Sequence, residues 1–307
     1  MVAKYNKRRI IECERAEVVD VLKILNQRSL ETINAEVETD SEVSKKLIRD
    51  GYVFKTSTEM MILGDIVYEG LKPEITIKDN MKTTGIMGIA FPNIQQQKHF
   101  MSAIKRYNNS KLLNDDCVEM LWNYFKEHKL CFNSGVCNGI CYNNKDNYMR
   151  KNKNANEFGN LLAYLVDREK FIEDMVLHTK PYSLFRINLN GEIHTREMLD
   201  TWVQIAKKSK RTTFYTYTKS YELFNDYLAE GNKLPNNLIV NISLVDGTEK
   251  EFDDKFPLLA DMNKFLITSN NLIEKEKTVC GGKCITCEGE LCYTKKKNRK
   301  IYCAYHN

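Results

Sequence analysis

The chain has 307 residues, with 46 Lys and Arg against 41 Asp and Glu, for a formal net charge of +5 at pH 7. Its 42% hydrophobic and 28% charged residues are the balance of a globular protein and exclude an intrinsically disordered chain. It contains no run of 18 apolar residues, and "MVAKYNKRRIIECERAEVV" has basic residues without the apolar segment of a secretory signal, so a cytoplasmic protein with no membrane partner is expected.

In the first third, "RAEVVDVLKILNQ" puts Val18, Val19, Leu22 and Leu25 on one helical face, and a second helix runs from the capping pair Asp40 and Ser41 to Gly51. "VFKTSTEMMILGDIVYEG" and "EITIKDN" read as short strands. No motif here carries chemistry, so residues 1–125 are expected to be an α+β accessory region, structural or partner-binding. "DDCVEMLWNYFKEHK" is an amphipathic helix capped by Asp115 or Asp116, and it leads into the cysteines of "LCFNSGVCNGICYNN".

Residues 126–275 alternate regularly. "NEFGNLLAYLVDREKFIEDMVLH" is helical, "SLFRINLNG" a strand, and "TREMLDTWVQIAKKS" a helix capped by Thr195. "TTFYTYT" is a strand, "SYELFNDYLAEG" a helix ending at Gly231, "NLIVNIS" a strand, and "KFLIT" a further strand. Strands alternating with helices of this length imply βαβ units, so the fold class is α/β: a parallel sheet or a partial (βα) barrel. The strands alternate in polarity. Arg186, Asn188 and Asn190 share one face, as do Ile239, Asn241 and Ser243, and Thr212, Phe214, Thr216 and Thr218. A polar face repeated on successive strands suits a ligand-lined interior; a sheet with one partly solvated face is the alternative.

Ten cysteines in a reduced compartment point to metal or catalysis rather than disulfides. Cys13 and Cys117 stand alone. Cys131, Cys137 and Cys141 are spaced C-x5-C-x3-C, unlike the paired C-x2-C of structural zinc, and lack an evident fourth ligand unless His128 supplies it. Three thiolates fit a 4Fe–4S cluster with one iron open to a ligand. Residues 276–307 form a Cys-rich tail in which Cys280, Cys284, Cys287 and Cys292 are followed by Cys303. These can close a second site around zinc or a 4Fe–4S cluster, with His306 as an alternative ligand.

"CNGICYNN", then "FRINLNGEIHTREMLDTWVQIAKKSKRTTFYTYTKS", then "VCGGKCITCEGELCY" resemble the phage "gene product 88" family in order and spacing, over about residues 126–295. That family is similar to radical-SAM-like barrel proteins. The resemblance implies a radical-SAM-like fold and a cofactor type, and leaves the substrate open. It places Asn190, Gly191 and Glu192 where radical-SAM enzymes carry a Gly-Gly-Glu stretch that contacts the methionine amine of the cofactor. Here Asn190 stands in place of the first glycine, and C-x5-C-x3-C differs from the usual C-x3-C-x2-C. On this reading Cys131, Cys137 and Cys141 hold three irons, S-adenosylmethionine chelates the fourth, Glu192 accepts from its amine, and Arg186 pairs with its carboxylate. For Glu192 and Arg186 an ordinary salt bridge at the strand end is the alternative.

The competing class is a non-enzymatic, zinc-stabilised protein that binds nucleic acid. Lys283, Lys295, Lys296, Lys297, Arg299 and Lys300 against Glu288 and Glu290 account for nearly all of the chain's net charge. Tyr293, Tyr302 and Tyr305 interleave with this run, as phosphate contact plus base stacking would require. A solvated basic surface is the bland alternative.

Overall fold

A computed structural model of the chain describes residues 71–78, 86–106, 116–131, 153–268, 279–280, 292–294 and 299–304. The expected helices at 15–27 and 40–51, and the strand expected in 53–70, lie outside these. The described residues form an α/β fold with one seven-stranded, mostly parallel sheet and seven helices.

The strands are β1 (Ile77–Lys78), β2 (Met87–Ile89), β3 (Leu184–Arg186), β4 (Thr213–Thr218), β5 (Leu238–Val245), β6 (Asn263–Thr268) and β7 (Lys300–Ala304). They lie side by side in chain order. Only β1 and β2 are antiparallel; every later neighbour is parallel. The expected strands near 183–189, 212–218 and 237–243 are thus adjacent and parallel. The sheet also takes in β1 and β2 from before residue 126 and β7 from beyond 275. A parallel neighbour needs a crossover, and an order that never reverses brings the crossovers back over one face.

The helices are α1 (Ile94–Arg106), α2 (Asp116–Glu127), α3 (Lys153–Val166), α4 (Arg168–Thr179), α5 (Arg196–Lys208), α6 (Tyr221–Ala229) and α7 (Glu249–Lys255). Their ends follow from local chemistry. Asn93 caps α1: its Oδ1 accepts from the N–H of Gln95 and Gln96, and Gln96 Oε1 accepts in return from the N–H of Asn93, a reciprocal capping box. Thr195 caps α5 by accepting from the N–H of Met198 at 3.1 Å, as its position predicts. The segment 156–178, which reads as one helix, is two. Asp167 adopts an extended backbone and accepts from the N–H of Lys170, so it starts α4 afresh.

The helices cover one face of the sheet. Phe185, Phe214, Leu238, Val240, Ile242 and Leu266 pack there against Phe158, Phe171, Trp202 and Phe224 from the helices. Trp202 lies at the centre, with ring centroids 6.5 Å from Phe91, 6.2 Å from Phe171 and 6.4 Å from Phe214. Burying each such ring contributes about 1.5–3 kcal/mol. The register pairs Thr216 with Val240 and Thr218 with Ile242. The threonine row of β4 therefore belongs to the helix-covered face, where both residues are buried, and not to a polar interior. The opposite, inner face of β4 carries Tyr215 and Tyr217 beside Arg186, Ile239 and Asn241.

Candidate functional site at the C-terminal rim of the sheet

The C-terminal ends of β2, β3, β4 and β5 meet at one rim. β3 stops at Arg186 because Asn188 turns into the left-handed region, with φ 57°, a conformation asparagine tolerates better than most residues. Asn188 is 5% exposed, and neither atom of its side-chain amide has a hydrogen-bond partner among the described residues. The loop then passes close to the chain after β2: the N–H of Phe91 donates to the carbonyl of Asn190 at 3.0 Å. Gly191 has φ 80°, and a Cβ there would sit 2.8 Å from the carbonyl oxygen of Phe91. Only glycine meets both demands without strain.

Asn190 turns into a buried polar cluster. Its Nδ2 donates to Gln96 Oε1 at 2.8 Å and to Glu157 Oε2 at 2.7 Å, and its Oδ1 accepts from Asn93 Nδ2 at 3.1 Å. Glu192 is also buried. Its Oε1 accepts from the N–H of Ile193 at 3.0 Å and its Oε2 from the N–H of Lys219 at 2.8 Å. Burial outweighs these bonds and pushes the Glu192 carboxyl up to about 7. Lys219 extends from the end of β4 to Ser243 on β5, with Nζ 2.6 Å from Oγ. Glu192, Lys219 and Ser243 thus link the ends of three successive strands.

Arg186 lies on the inner face with its guanidinium 4.9 Å from the Tyr217 ring centroid. Burial pushes the Tyr217 phenol well up, and its hydroxyl is hydrogen-bonded to Cys292. Asn241, which reads as a ligand-lining residue, is occupied otherwise, together with Asn263 on the next strand. Asn241 Nδ2 donates to the carbonyl of Cys292 at 2.8 Å, and Asn263 Nδ2 to the carbonyl of Thr294 at 3.0 Å. They anchor the C-terminal segment on the inner face, where Cys280, Cys292 and Tyr293 pack with Tyr215, Ile239, Phe265 and Ile301.

The helix that precedes Cys131 reaches the same rim from the helical side. Tyr124 of α2 stacks on His128, with ring centroids 4.4 Å apart, and its hydroxyl lies 2.7 Å from Nε2 of His194. Nδ1 of His194 lies 2.9 Å from the carbonyl of Glu192, which can only accept. Nδ1 therefore carries the proton, and Tyr124 donates to Nε2. Burial lowers His194 to about 4, so the ring is neutral at pH 7. Half-buried Cys131 follows three residues after His128.

The family model for gene product 88 matches residues 102–257. The chain belongs to the gene product 88 family. No curated protein matches the chain, and no solved structure does. The matched span of the gene product 88 chain starts earlier and ends sooner than the stretch that carries the sequence resemblance. It contains Cys131, Cys137 and Cys141 together with Arg186, Asn190, Gly191 and Glu192, and leaves the five tail cysteines outside.

Of the expected metal ligands, Cys131, Cys280, Cys292 and Cys303 lie among the described residues, and Cys137, Cys141, Cys284 and Cys287 outside them. Among the described residues no three of His, Cys, Asp and Glu gather as a metal site, and no helix is long and apolar enough to cross a membrane. Cys303 is on β7 opposite Ile267. The basic run is partly structural: Tyr302 is buried in the core, Lys300 pairs with Glu249 at 2.7 Å, and Arg299 donates to Thr294. Tyr124, His194 and Lys219 are not among the residues the sequence points to, whereas Ser243 is, as part of the polar face of its strand. The only signal of Tyr124, His194 and Lys219 is position, since the last two follow strands.

Proposed function

We propose that this gene product 88 chain is an iron–sulfur protein whose sheet is a partial barrel of the radical-SAM-like type, with its site at the C-terminal rim. The observation that carries the reading is the hydrogen bond from Tyr124 to His194, which ties the helix before Cys131 to the loop bearing Glu192. The loop lies at the ends of parallel strands, where α/β folds build their sites. Parallel strands in unbroken chain order, β2 to β7, support a singly wound arc rather than a doubly wound sheet.

The donor set fits the group. Thiolates of Cys131, Cys137 and Cys141 suit iron, and three of them leave a fourth iron position for a ligand. The buried Asn188 amide offers polar contacts at the same rim. Arg186 would face the carboxylate of S-adenosylmethionine and Glu192 its ammonium. The bound cofactor and cluster supply one-electron chemistry that side chains lack, while the chain orients the ligand and excludes water. Because Glu192 titrates near neutral pH, a cation placed beside it favours the ionised carboxylate, and binding at pH 7 is coupled to proton release. Cys280, Cys284, Cys287, Cys292 and Cys303 are assigned to a second, closed site of iron or zinc. A nucleic acid is the substrate class that Lys295, Lys296 and Lys297 would suit.

Metal and acid-labile sulfide analysis of anaerobically purified protein tests the reading. Brown protein with about four irons and four sulfides per site supports it. Colourless protein holding only zinc ends it in favour of the structural alternative.

A further inference from the structure

Two adjacent glutamines on α1 reach the two halves of this site. Gln96 is fully buried and faces the rim loop: its Nε2 donates to Asn154 Oδ1 at 2.9 Å and Glu157 Oε2 at 2.8 Å, and its Oε1 accepts from Asn190 Nδ2 at 2.8 Å. Gln97, 5% exposed, faces the other way. Its Nε2 donates to the carbonyls of Phe125 at 3.0 Å and His128 at 2.6 Å, and its Oε1 accepts from the N–H of Leu130 at 3.1 Å.

Successive residues on a helix point about 100° apart, so neighbours in sequence can serve different partners. The last carbonyls of a helix have no partner within it, and a buried helix end needs one from outside. Gln97 fills that need for the end of α2 and holds the N–H just before Cys131. Gln96 holds the loop of Asn190, Gly191 and Glu192 through the side-chain amide of Asn190. An apolar side chain at either position would strand several buried polar groups at once.

We propose that Gln96 and Gln97 are positioning residues: through the rigid body of α1 they fix the turn bearing Cys131 against the loop bearing Glu192. The proposal rests on the functional reading above for its purpose, but not for its geometry. Neither glutamine is among the residues expected to contact the cofactor. Gln97 acts through the backbone it holds and Gln96 through the side chain of Asn190, and the Tyr124–His194 bond closes the circuit from the other side.

One test needs no metal. In metal-free, reduced protein, the labelling rate of Cys131 by a maleimide is followed by peptide mass spectrometry, with half-buried Cys117 on α2 as internal control. Gln97→Leu is expected to raise the Cys131 rate about tenfold, the loss of one or two net hydrogen bonds, and to leave Cys117 unchanged. Gln96→Leu, which touches nothing near Cys131, is expected to raise it by a smaller factor across α1. If the leucine variants do not fold, Gln96→Glu and Gln97→Glu are read in the same way. The second arm is spectroscopic: in iron-loaded protein both substitutions reduce the change that S-adenosylmethionine causes in the cluster's paramagnetic resonance spectrum. Unchanged labelling of Cys131 in folded variants overturns the proposal. A wild type that takes up no iron, with labelling as predicted, removes the functional reading and leaves the bridge standing.

Discussion

The backbone N–H of Lys219 donates to Oε2 of Glu192 at 2.8 Å, so the end of β4 holds the carboxyl that the loop after β3 presents. Two residues on, His194 donates from Nδ1 to the carbonyl of Glu192 and accepts from Tyr124. The rim therefore contains two buried titratable groups whose protonation is shifted towards the neutral form.

Their pH effects oppose each other. Glu192 is raised from 4.5 to about 7 on folding. The stability it contributes is complete below pH 4.5 and lost as pH rises through 7, on the order of 3 kcal/mol. His194 is lowered from 6.5 to about 4, so its contribution is complete above pH 6.5 and lost as pH falls through 4. The two offset each other between about pH 4.5 and 6.5. Glu192→Gln should leave stability rising with pH up to 6.5 and flat above it; His194→Asn should leave stability falling from pH 4.5 to 7. Urea denaturation across pH 4.5–8 checks both slopes.

Gly191→Ala should cost about 1–3 kcal/mol, since its φ is positive and a Cβ meets the Phe91 carbonyl at 2.8 Å. Gly231 has a similar φ, 82°, but open space around its would-be Cβ. Gly231→Ala should cost about 1 kcal/mol at most. The difference between the two in chemical denaturation isolates the contact from the backbone preference.

Asn241→Leu removes donation to the carbonyls of Thr216 and Cys292 and takes from Asn263 Nδ2 one of its two acceptors, Asn241 Oδ1 at 3.2 Å, leaving the Thr294 carbonyl. It should cost about 1–3 kcal/mol and release the C-terminal segment from the inner face. Thiol labelling of Cys292, which is 9% exposed, should accelerate in the variant while Cys117 does not change.

Much of the sheet is legible before any coordinates. β4 and β5 show as apolar and β-branched runs, α5 as a helix with Thr195 at its start, and the parallel connection as the intervening helix length. β3 ends sooner than its pattern suggests, because nothing in "RINLNG" distinguishes an extended Asn188 from a left-handed one. β2 and β7 are hidden for different reasons. Gly88 breaks the apolar run of β2, where a Cβ would meet the Arg186 carbonyl at 2.5 Å, and β7 lies inside a basic run that reads as a solvated tail. The polarity of β4 misleads because its threonines are buried on the helix-covered face while Tyr215 and Tyr217 take the inner face. The rim loop of Asn190, Gly191 and Glu192 is legible through the family resemblance. The glutamine bridge and the Tyr124–His194 bond join residues that are distant in sequence and carry no local signature.

The most direct test of the central claim is the paramagnetic resonance spectrum of anaerobically prepared, dithionite-reduced protein, recorded with and without S-adenosylmethionine. An open iron in the cluster of Cys131, Cys137 and Cys141 predicts a cluster signal whose g-values shift when S-adenosylmethionine is added, with the shift lost in Cys137→Ala. A signal that is the same with and without the ligand, or reduced protein with no cluster signal and only zinc bound, would contradict the account.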